Sequence, residues 1–445
     1  MKKIICLILS ALSFTGIYAQ NSKKWTLEDC INHAIENNLN IKQLHIQKEN
    51  AEIDVNTAKM SRLPNLNAGI GQSWSFGRGQ ISSGLYESQT LSNSNLNISS
   101  STPLFTGFQI SNQIAKSKLD LEAATQQLAR AKEDLSINIA SLYLQVLFNK
   151  ELLKINEEQS ALSVLQVERT KTLVEVGKVP SSQLFDIEAQ VAKDEVNVIQ
   201  AKNTLELSLL DLAQSLELER ATAFDIESPV IENVVEEYMS SMLPPDVIYV
   251  NSISIKPVIK EQELRLESTK KSLKIAESGY YPKLNLSLSY GNSYYYNYSI
   301  KDGNKSFSNQ FKDNAGESLG LSLNIPIFNR FQVRNQVRSA KLNILNQQFI
   351  LDNTKKTLYK EIQTAYLNAT AAQEKYRASG RAVIASTEAF KYAQERYEIG
   401  KSSVYEFNEA KTKLLQSQSE QIQAKYDYIF RTKILDFYNG VAIKL

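Results

Sequence analysis

The chain has 445 residues, of which 42% are hydrophobic and 22% are charged, a composition typical of folded proteins and not of disordered or collagen-like chains. With 50 basic and 48 acidic side chains the formal net charge is +2, so the chain as a whole is not a basic surface for nucleic acid, and no nucleic-acid partner is expected. Two cysteines and two histidines are too few for a disulfide framework or a Cys/His zinc site.

The first 19 residues predict a secretory signal peptide. Lys2 and Lys3 form a basic start, Ile4–Leu12 is an apolar run, and Ala19 offers a small residue for cleavage. The apolar run is too short for a membrane-spanning helix. We therefore expect an exported mature chain whose single cysteine, Cys30, is a small buried residue on the first helix.

Helices are the dominant prediction after the signal peptide. Thr26 followed by Asp29 resembles a capping box that opens the first helix. Residues 108–176 contain no Gly or Pro, and apolar residues recur at every seventh position, at Ile114, Leu121, Leu128, Leu135 and Leu142. This spacing makes a stripe that must pack on other helices, over a length of about 100 Å at 1.5 Å per residue. The predicted helices are 26–61, 108–176, 182–217, 257–280, 331–399 and 404–437.

Four strands are predicted between the helices. Apolar and small polar residues alternate over 66–76, 95–99, 284–294 and 318–325, the second of these being the weakest. One face is aliphatic and ends in the aromatic residues Trp74, Phe76, Tyr290 and Tyr294. Strands of about ten residues with this pattern suit a transmembrane β-barrel, although a sheet packed on a soluble core shows the same alternation. We expect the polar stretches 77–93 and 299–316 to be extracellular loops.

The sequence contains an internal duplication. Residues 103–178 align with 326–401 without a gap, so that Pro103 meets Pro326 and Gly177 meets Gly400. Upstream, Pro64 meets Pro282. Internal repetition of this kind predicts two structurally similar halves. Half-length helices stacked end to end would match each long helix, which predicts a rod-like helical wall. Residues 218–256 are expected to be an irregular connector between the copies.

Four strands cannot close a membrane barrel. The smallest such barrels have about eight strands, and an open sheet edge cannot face lipid. Two chains would supply eight strands and three would supply twelve. The pattern therefore predicts an obligatory oligomer that shares one barrel.

The order of these elements resembles the TolC family of outer-membrane efflux proteins. The resemblance covers essentially the whole mature chain and is carried by the capped first helix, Leu63-Pro64, the motif at 103–107, Pro326-Ile327-Phe328 and the Gly177 and Gly400 turns. It implies an α+β membrane protein: a homotrimer in the outer membrane of a Gram-negative-type cell, in which a twelve-stranded β-barrel continues as an α-helical barrel into the periplasm. The implied domains are a signal peptide (1–19), a first repeat (20–217), an equatorial connector (218–256) and a second repeat (257–445).

The resemblance also implies a function. The chain would be the exit duct of a tripartite efflux pump or a type I secretion system. Its partners would be a periplasmic adaptor (membrane fusion) protein, an inner-membrane transporter of the RND, ABC or MFS type, and outer-membrane lipid. No enzyme activity, cofactor or metal site is expected, because a Gly-rich phosphate loop and a nucleophile elbow are both missing from the sequence.

Two sets of site residues follow from the resemblance. The turns that would dock the adaptor are Gly177, Lys178, Val179 and Pro180 in the first repeat, and Gly400, Lys401, Ser402 and Ser403 in the second. Both glycines are expected at positive φ.

The second set is a periplasmic gate. Glu406 and Glu409 match two acidic positions that would form a ring of six carboxylates in a trimer and attract cations, and Tyr397 matches a tyrosine that helps to latch the ring. Ser402 stands where a latch arginine would be, and Gln183 where its acidic partner would be, so a latch here is expected to be hydrogen-bonded. The two glutamates would also simply complement the dipole at a helix start.

One alternative function remains open on the residues alone. A periplasmic adaptor or a coiled-coil scaffold protein without a channel also contains long helical hairpins. Such a protein would carry one hairpin beside compact β-domains. Two copies of a strand pair with a hairpin favour the channel.

Overall fold

A computed structural model describes residues 24–80, 84–219, 224–229, 242–300 and 303–444. The predicted signal peptide lies outside these residues. The chain divides into two compact units, and each unit draws on both halves of the sequence. Among the described residues, the helical unit comprises those up to Leu44, those from Leu128 to Lys256 and those from Lys355 onwards. The sheet unit comprises those from His45 to Gln127 and from Pro257 to Thr354.

The secondary structure repeats helices, two strands and a long helical hairpin. The helices are α1 (Leu27–Asn37), α2 (Leu39–Met60), α3 (Gln109–Glu175), α4 (Ser182–Ser215), α5 (Pro245–Ile255), α6 (Pro257–Glu277), α7 (Phe307–Asp313), α8 (Gln332–Glu398) and α9 (Val404–Tyr438). The strands are β1 (Asn67–Gln80), β2 (Tyr86–Phe105), β3 (Lys283–Asn297) and β4 (Gly316–Asn324). None of the helices in the described ranges is long and apolar enough to cross a membrane.

The first helix begins as predicted but ends early. The Thr26 hydroxyl accepts a hydrogen bond from the Asp29 amide at 3.1 Å, and the Asp29 carboxylate accepts from the Thr26 amide at 3.3 Å, which confirms the capping box. The expected single helix over 26–61 is wrong, because Asn38 leaves the helical conformation (ψ 128°). Its side-chain oxygen accepts from the amides of Asn40 and Ile41 and so caps α2.

The expectation of an irregular connector over 218–256 is wrong for its C-terminal part. Residues 245–255 form helix α5, which has 11 residues like α1. Lys256 breaks the helix with ψ 125°, as Asn38 does in the first copy. The physical cause differs, because Pro257 follows and disfavours the helical conformation at Lys256. Helix α5 is therefore the second copy of α1. Residues 220–223 and 230–241 of this stretch lie outside the described residues.

The duplication extends to backbone detail where the strands lead into the long helices. Gly107 and Phe108 have φ of 63° and 66°, and Arg330 and Phe331 have φ of 53° and 60°. Such left-handed conformations are uncommon for residues other than glycine. A Cβ on Gly107 would lie 2.8 Å from the Ser278 carbonyl oxygen, so glycine is required in the first copy.

The four strands form one antiparallel sheet in the order β1-β2-β3-β4. The expectation of a loop over 77–93 is wrong: β1 and β2 remain paired out to Gln80 opposite Tyr86, and β2 is 20 residues long. The segment is rich in Ser, Gly and Gln, so it shows little alternation in hydropathy, whereas backbone pairing does not depend on that alternation. The loop expected over 299–316 also contains a short helix, α7.

The helical unit has a continuous apolar core around α1, α3, α4 and α9. Cys30 is fully buried there, as predicted. Tyr143 lies on α3 with its hydroxyl 2.7 Å from the Glu227 carbonyl oxygen and 3.2 Å from that of Trp25. The Glu227 amide in turn donates to the Trp25 carbonyl at 2.9 Å. These bonds fix the described part of the connector, residues 224–229, to Trp25, which lies just before α1.

Candidate functional site: the helix turns and the start of α9

The two turns that end the long helices share one backbone geometry. Gly177 and Gly400 have φ of 72° and 74°, which confirms the prediction of positive φ. The Lys178 amide donates to the Leu173 carbonyl and the Lys401 amide to the Arg396 carbonyl, at 2.9 and 2.8 Å. Together with the bonds from the glycine amides these form a Schellman motif, which satisfies carbonyls at the helix end.

The starts of the return helices differ between the copies. Ser403 caps α9 because its hydroxyl accepts from the Glu406 amide at 3.2 Å. Ser181, at the start of α4, makes no side-chain cap. The connection at Gly400 therefore has a side-chain cap that the connection at Gly177 lacks. It places Glu406 in the first helical turn of the capped helix α9.

Glu406 has partners within its own chain. The Ser402 hydroxyl donates a short hydrogen bond to its carboxylate, and Arg396 Nη2 lies 3.9 Å from the same oxygen. The Ser402 hydrogen bond, with a smaller contribution from Arg396, holds the pKa of Glu406 below the ordinary value of a glutamate. The Glu406 side chain is about half exposed, so it is a charged group facing solvent near neutral pH.

Glu409 lies one turn further along α9, beside an open cleft of about 720 Å³. The cleft is lined by Asp186 and Gln190 of α4 and by Glu409 and Thr412 of α9. It therefore carries two acidic side chains, together with the basic side chain of Lys413. Gln183 lies in the first turn of α4 and is partly exposed.

Tyr397 lies in a small buried cluster instead of on the surface. Its ring stacks on Phe407 with centroids 5.2 Å apart, and Ile187 and Val404 complete the cluster. Its hydroxyl lies 3.2 Å from Thr170 Oγ1. This contact joins the long helices of both repeats immediately before their turns.

Several residues near the turns were not singled out from the sequence. Arg169 pairs with Glu398 at 2.9 Å and links α3 to α8. Val176 and Ile399 precede the two glycines at equivalent repeat positions, and both are more than half exposed. The repeat alignment contained a signal for Val176 and Ile399, because an apolar residue occurs before the glycine in both copies. The ion pair had no sequence signal, since its partners lie in different repeats.

The sheet unit exposes an extensive apolar face. The register places Leu286 opposite Leu321 and Leu288 opposite Leu319, and these side chains share a face with Ile70. Ile70 is 86% exposed and Leu319 is 73% exposed. Bulky aliphatic side chains in this arrangement need a nonpolar environment outside the single chain.

Comparison with known proteins gives this arrangement a family. The model of the outer membrane efflux protein family matches residues 30–217 and again residues 249–436. The chain belongs to the outer membrane efflux protein family. The double match accords with the duplication, and its second segment begins within α5.

Characterised relatives and solved structures agree with the family match. The chain is 22% identical to outer membrane protein TolC of Escherichia coli, over 96% of this chain and 84% of that protein. The fold is similar to that of CusC, with a TM-score of 0.78 at 16% identity, over 94% of this chain and 92% of the other. For the CmeC outer membrane channel of Campylobacter jejuni the TM-score is 0.76 at 19% identity, over 94% and 86% of the two chains.

The family fixes the general function and location. This outer membrane efflux protein is an outer-membrane exit channel for efflux or secretion, and its fold is the duplicated TolC-like α+β unit. The alternative of a periplasmic adaptor or scaffold without a channel is excluded, because the family match covers both halves of the chain.

Proposed function

We propose that this outer membrane efflux protein acts as a homotrimer whose three sheets close one twelve-stranded barrel. The observation that carries the proposal is the four-stranded sheet itself. Its edge strands β1 and β4 pair with no further strand in the described residues, and its aliphatic face is exposed. An unpaired edge is not tolerated in lipid, so another chain must pair with it.

The trimer serves as the exit duct of a tripartite assembly. A periplasmic adaptor protein and an inner-membrane transporter of the RND, ABC or MFS type are its partners. The transporter selects the cargo and supplies the energy, since a duct of this kind requires no discriminating pocket.

The adaptor docks at the turns around Gly177 and Gly400. Exposed apolar side chains surround both turns and support this proposal. They are Val176, Phe185, Ile399 and Tyr405, each at least 61% exposed. A cluster of exposed apolar residues beside basic Lys178 and Lys401 suits a protein interface better than a free surface.

Glu406 and Glu409 form the gate of the duct. In a trimer they supply six carboxylates around one axis, which attract cations and hold a divalent ion at the constriction. The position of Glu406 supports this role, because its carboxylate is exposed in the first turn of α9, next to the turn at Gly400. Ser402 acts by hydrogen-bonding Glu406 within one protomer. Tyr397 acts by holding the helices of both repeats together through Thr170.

Ion conduction through the purified trimer in a planar bilayer tests this function. We expect a cation-preferring conductance that divalent cations block from the periplasmic side. The Glu406→Ala/Glu409→Ala double variant should lose cation preference and block. The matched control is Glu420→Ala, which removes a glutamate further along the same helix.

Each part of the proposal has its own failing result. A membrane-inserted trimer without conductance would contradict the duct. If the double variant conducts with unchanged selectivity and block, the two glutamates do not form the gate. Their remaining role would then be to complement the dipole at the start of α9.

A further inference from the structure

Helix α7 packs on the aliphatic face of the sheet. The Asn292 side-chain amide donates to the Phe311 carbonyl at 2.7 Å, and the rings of Tyr294 and Phe307 meet at 5.2 Å. Side chains alternate along a strand, so Asn292 and Tyr294 share the face that carries Leu288. The helix therefore lies over the same face as the aliphatic band.

One side of α7 is fixed to the strand edge. β3 is 15 residues long and β4 only 9, so the last residues of β3 extend beyond β4. The buried Gln310 side chain replaces the missing strand there: its amide donates to the Tyr295 carbonyl at 2.8 Å and its oxygen accepts from the Tyr295 amide at 2.9 Å. Asn314 adds a bond to the Ser293 carbonyl at 2.6 Å. These bonds set the rotation of α7.

The helix presents two phenyl rings to its surroundings. Phe307 and Phe311 stack with centroids 5.5 Å apart and remain 57% and 41% exposed. Lys312, beside Phe311, is also exposed. A short segment with aromatic rings and a cation is typical of the boundary between acyl chains and headgroups.

The position of α7 continues the aliphatic band. From the strand ends nearest α6 and α8, the aliphatic face passes through Leu286 and Leu288 to Tyr290 and Tyr294, and then to the rings of α7. The order is aliphatic first and aromatic last, which is the order met on leaving the hydrocarbon core of a membrane.

We propose that α7 is an interfacial lipid anchor, with Phe307 and Phe311 inserted among the lipids of the outer leaflet. This inference rests on the proposed barrel, in which the aliphatic face contacts lipid. The Gln310 bonds to the Tyr295 backbone hold α7 in the orientation that leaves both rings exposed.

Site-specific fluorescence in proteoliposomes tests the anchor. An environment-sensitive dye is attached to the Phe311→Cys variant in vesicles of phosphatidylethanolamine and phosphatidylglycerol. Asn309→Cys, on the other side of α7, is the matched control, and Leu288→Cys is the reference for lipid contact. The parent chain treated in parallel gives the background from buried Cys30, and heat-modifiable migration verifies that each variant is a trimer.

The anchor requires a specific quenching pattern. The dye at 311 should emit at a shorter wavelength than the dye at 309. Its fluorescence should be quenched more by lipid with a shallow doxyl group than by lipid with a deep one, and aqueous iodide should quench it little. The dye at 288 should lose most to deep doxyl-labelled lipid. Iodide quenching at 311 equal to that at 309, without lipid quenching, would overturn the anchor. Protection at 311 from both quenchers would overturn it too, because protein would then cover the rings. Absence of lipid quenching at 288 would overturn the barrel assignment and the anchor with it.

Discussion

At the residue scale, a buried ion pair lies between the helices of the two hairpins. Lys411 of α9 and Asp194 of α4 meet at 2.6 Å, with side chains only 4% and 5% exposed. Ser163 of α3 donates to the same carboxylate, and Gln190 donates to its other oxygen at 2.8 Å. A charge pair so deeply buried is stable only while both partners and their hydrogen bonds are present.

Removal of one partner should therefore cost more than removal of both. We expect Lys411→Met to destabilise the chain by about 3–5 kcal/mol, because the Asp194 carboxylate is left buried and unpaired. The Lys411→Met/Asp194→Leu double variant should recover most of that loss. The measurement is the temperature at which the trimer dissociates in detergent, with exposed Lys413→Met as control. Equal losses in the single and double variants would contradict the interpretation.

The thiol of Cys30 should be inert in the folded protein. Burial, with a smaller contribution from Asp29, raises the pKa of Cys30 to about 12. The folded pKa is above the unfolded value of about 8.5, so the thiol's contribution to stability is complete below that pH and is lost as the pH rises towards 12.

Maleimide labelling at pH 8 should give no product in the native protein and full labelling after unfolding. The dissociation temperature of the trimer should fall more steeply above pH 9 in the parent chain than in Cys30→Ala, which lacks the titrating group. Rapid labelling of the native protein would show that the site opens.

At the scale of the element, the turn at Gly400 combines a backbone requirement with an exposed surface. A Cβ built on Gly400 meets no atom within 4 Å, so a larger side chain has room and only the left-handed backbone is strained. We expect Gly400→Val to destabilise the turn by about 1–2 kcal/mol, leave the trimer in the membrane and abolish export.

Gly400→Asn is the matched control for that experiment, because asparagine tolerates the left-handed conformation. Export assays at equal abundance in the membrane separate the two causes. Export by the Asn variant alone assigns the effect to backbone geometry, and loss in both assigns it to the docking surface. Full export by Gly400→Val would exclude the turn from function.

At the scale of the whole molecule, the two faces of the sheet should respond oppositely to charge. Leu288 is 51% exposed on the aliphatic face, whereas its neighbour Ser289 points to the other face and bonds Ser318 at 2.7 Å. An arginine in the middle of a lipid-facing band costs about 2–4 kcal/mol. We expect Leu288→Arg to reduce heat-modifiable trimer in the outer membrane and Ser289→Arg to assemble. The reverse result would invert the assignment of the two faces.

Sequence alone determined the architecture because its signals are long and repeated. The lengths of the two long helices follow from stretches without Pro and, apart from Gly380, without Gly. The packing stripe follows from an apolar residue at every seventh position. The turns follow from the glycines at 177 and 400. The alternation over 284–294 specifies a strand with two different faces. These features depend on local periodicity, which the chain displays directly.

Tertiary structure decided the features whose partners are distant in the chain. The length of β2 depends on backbone pairing with β1 and β3. Polar Ser and Asn residues pair through their backbones as readily as apolar residues do. Helix α7 depends on the Gln310 bonds to the edge of β3, and Tyr397 became a core residue because Thr170 and Phe407 surround it. Local hydropathy does not record such contacts, because each is made by residues whose types are ordinary at their own positions.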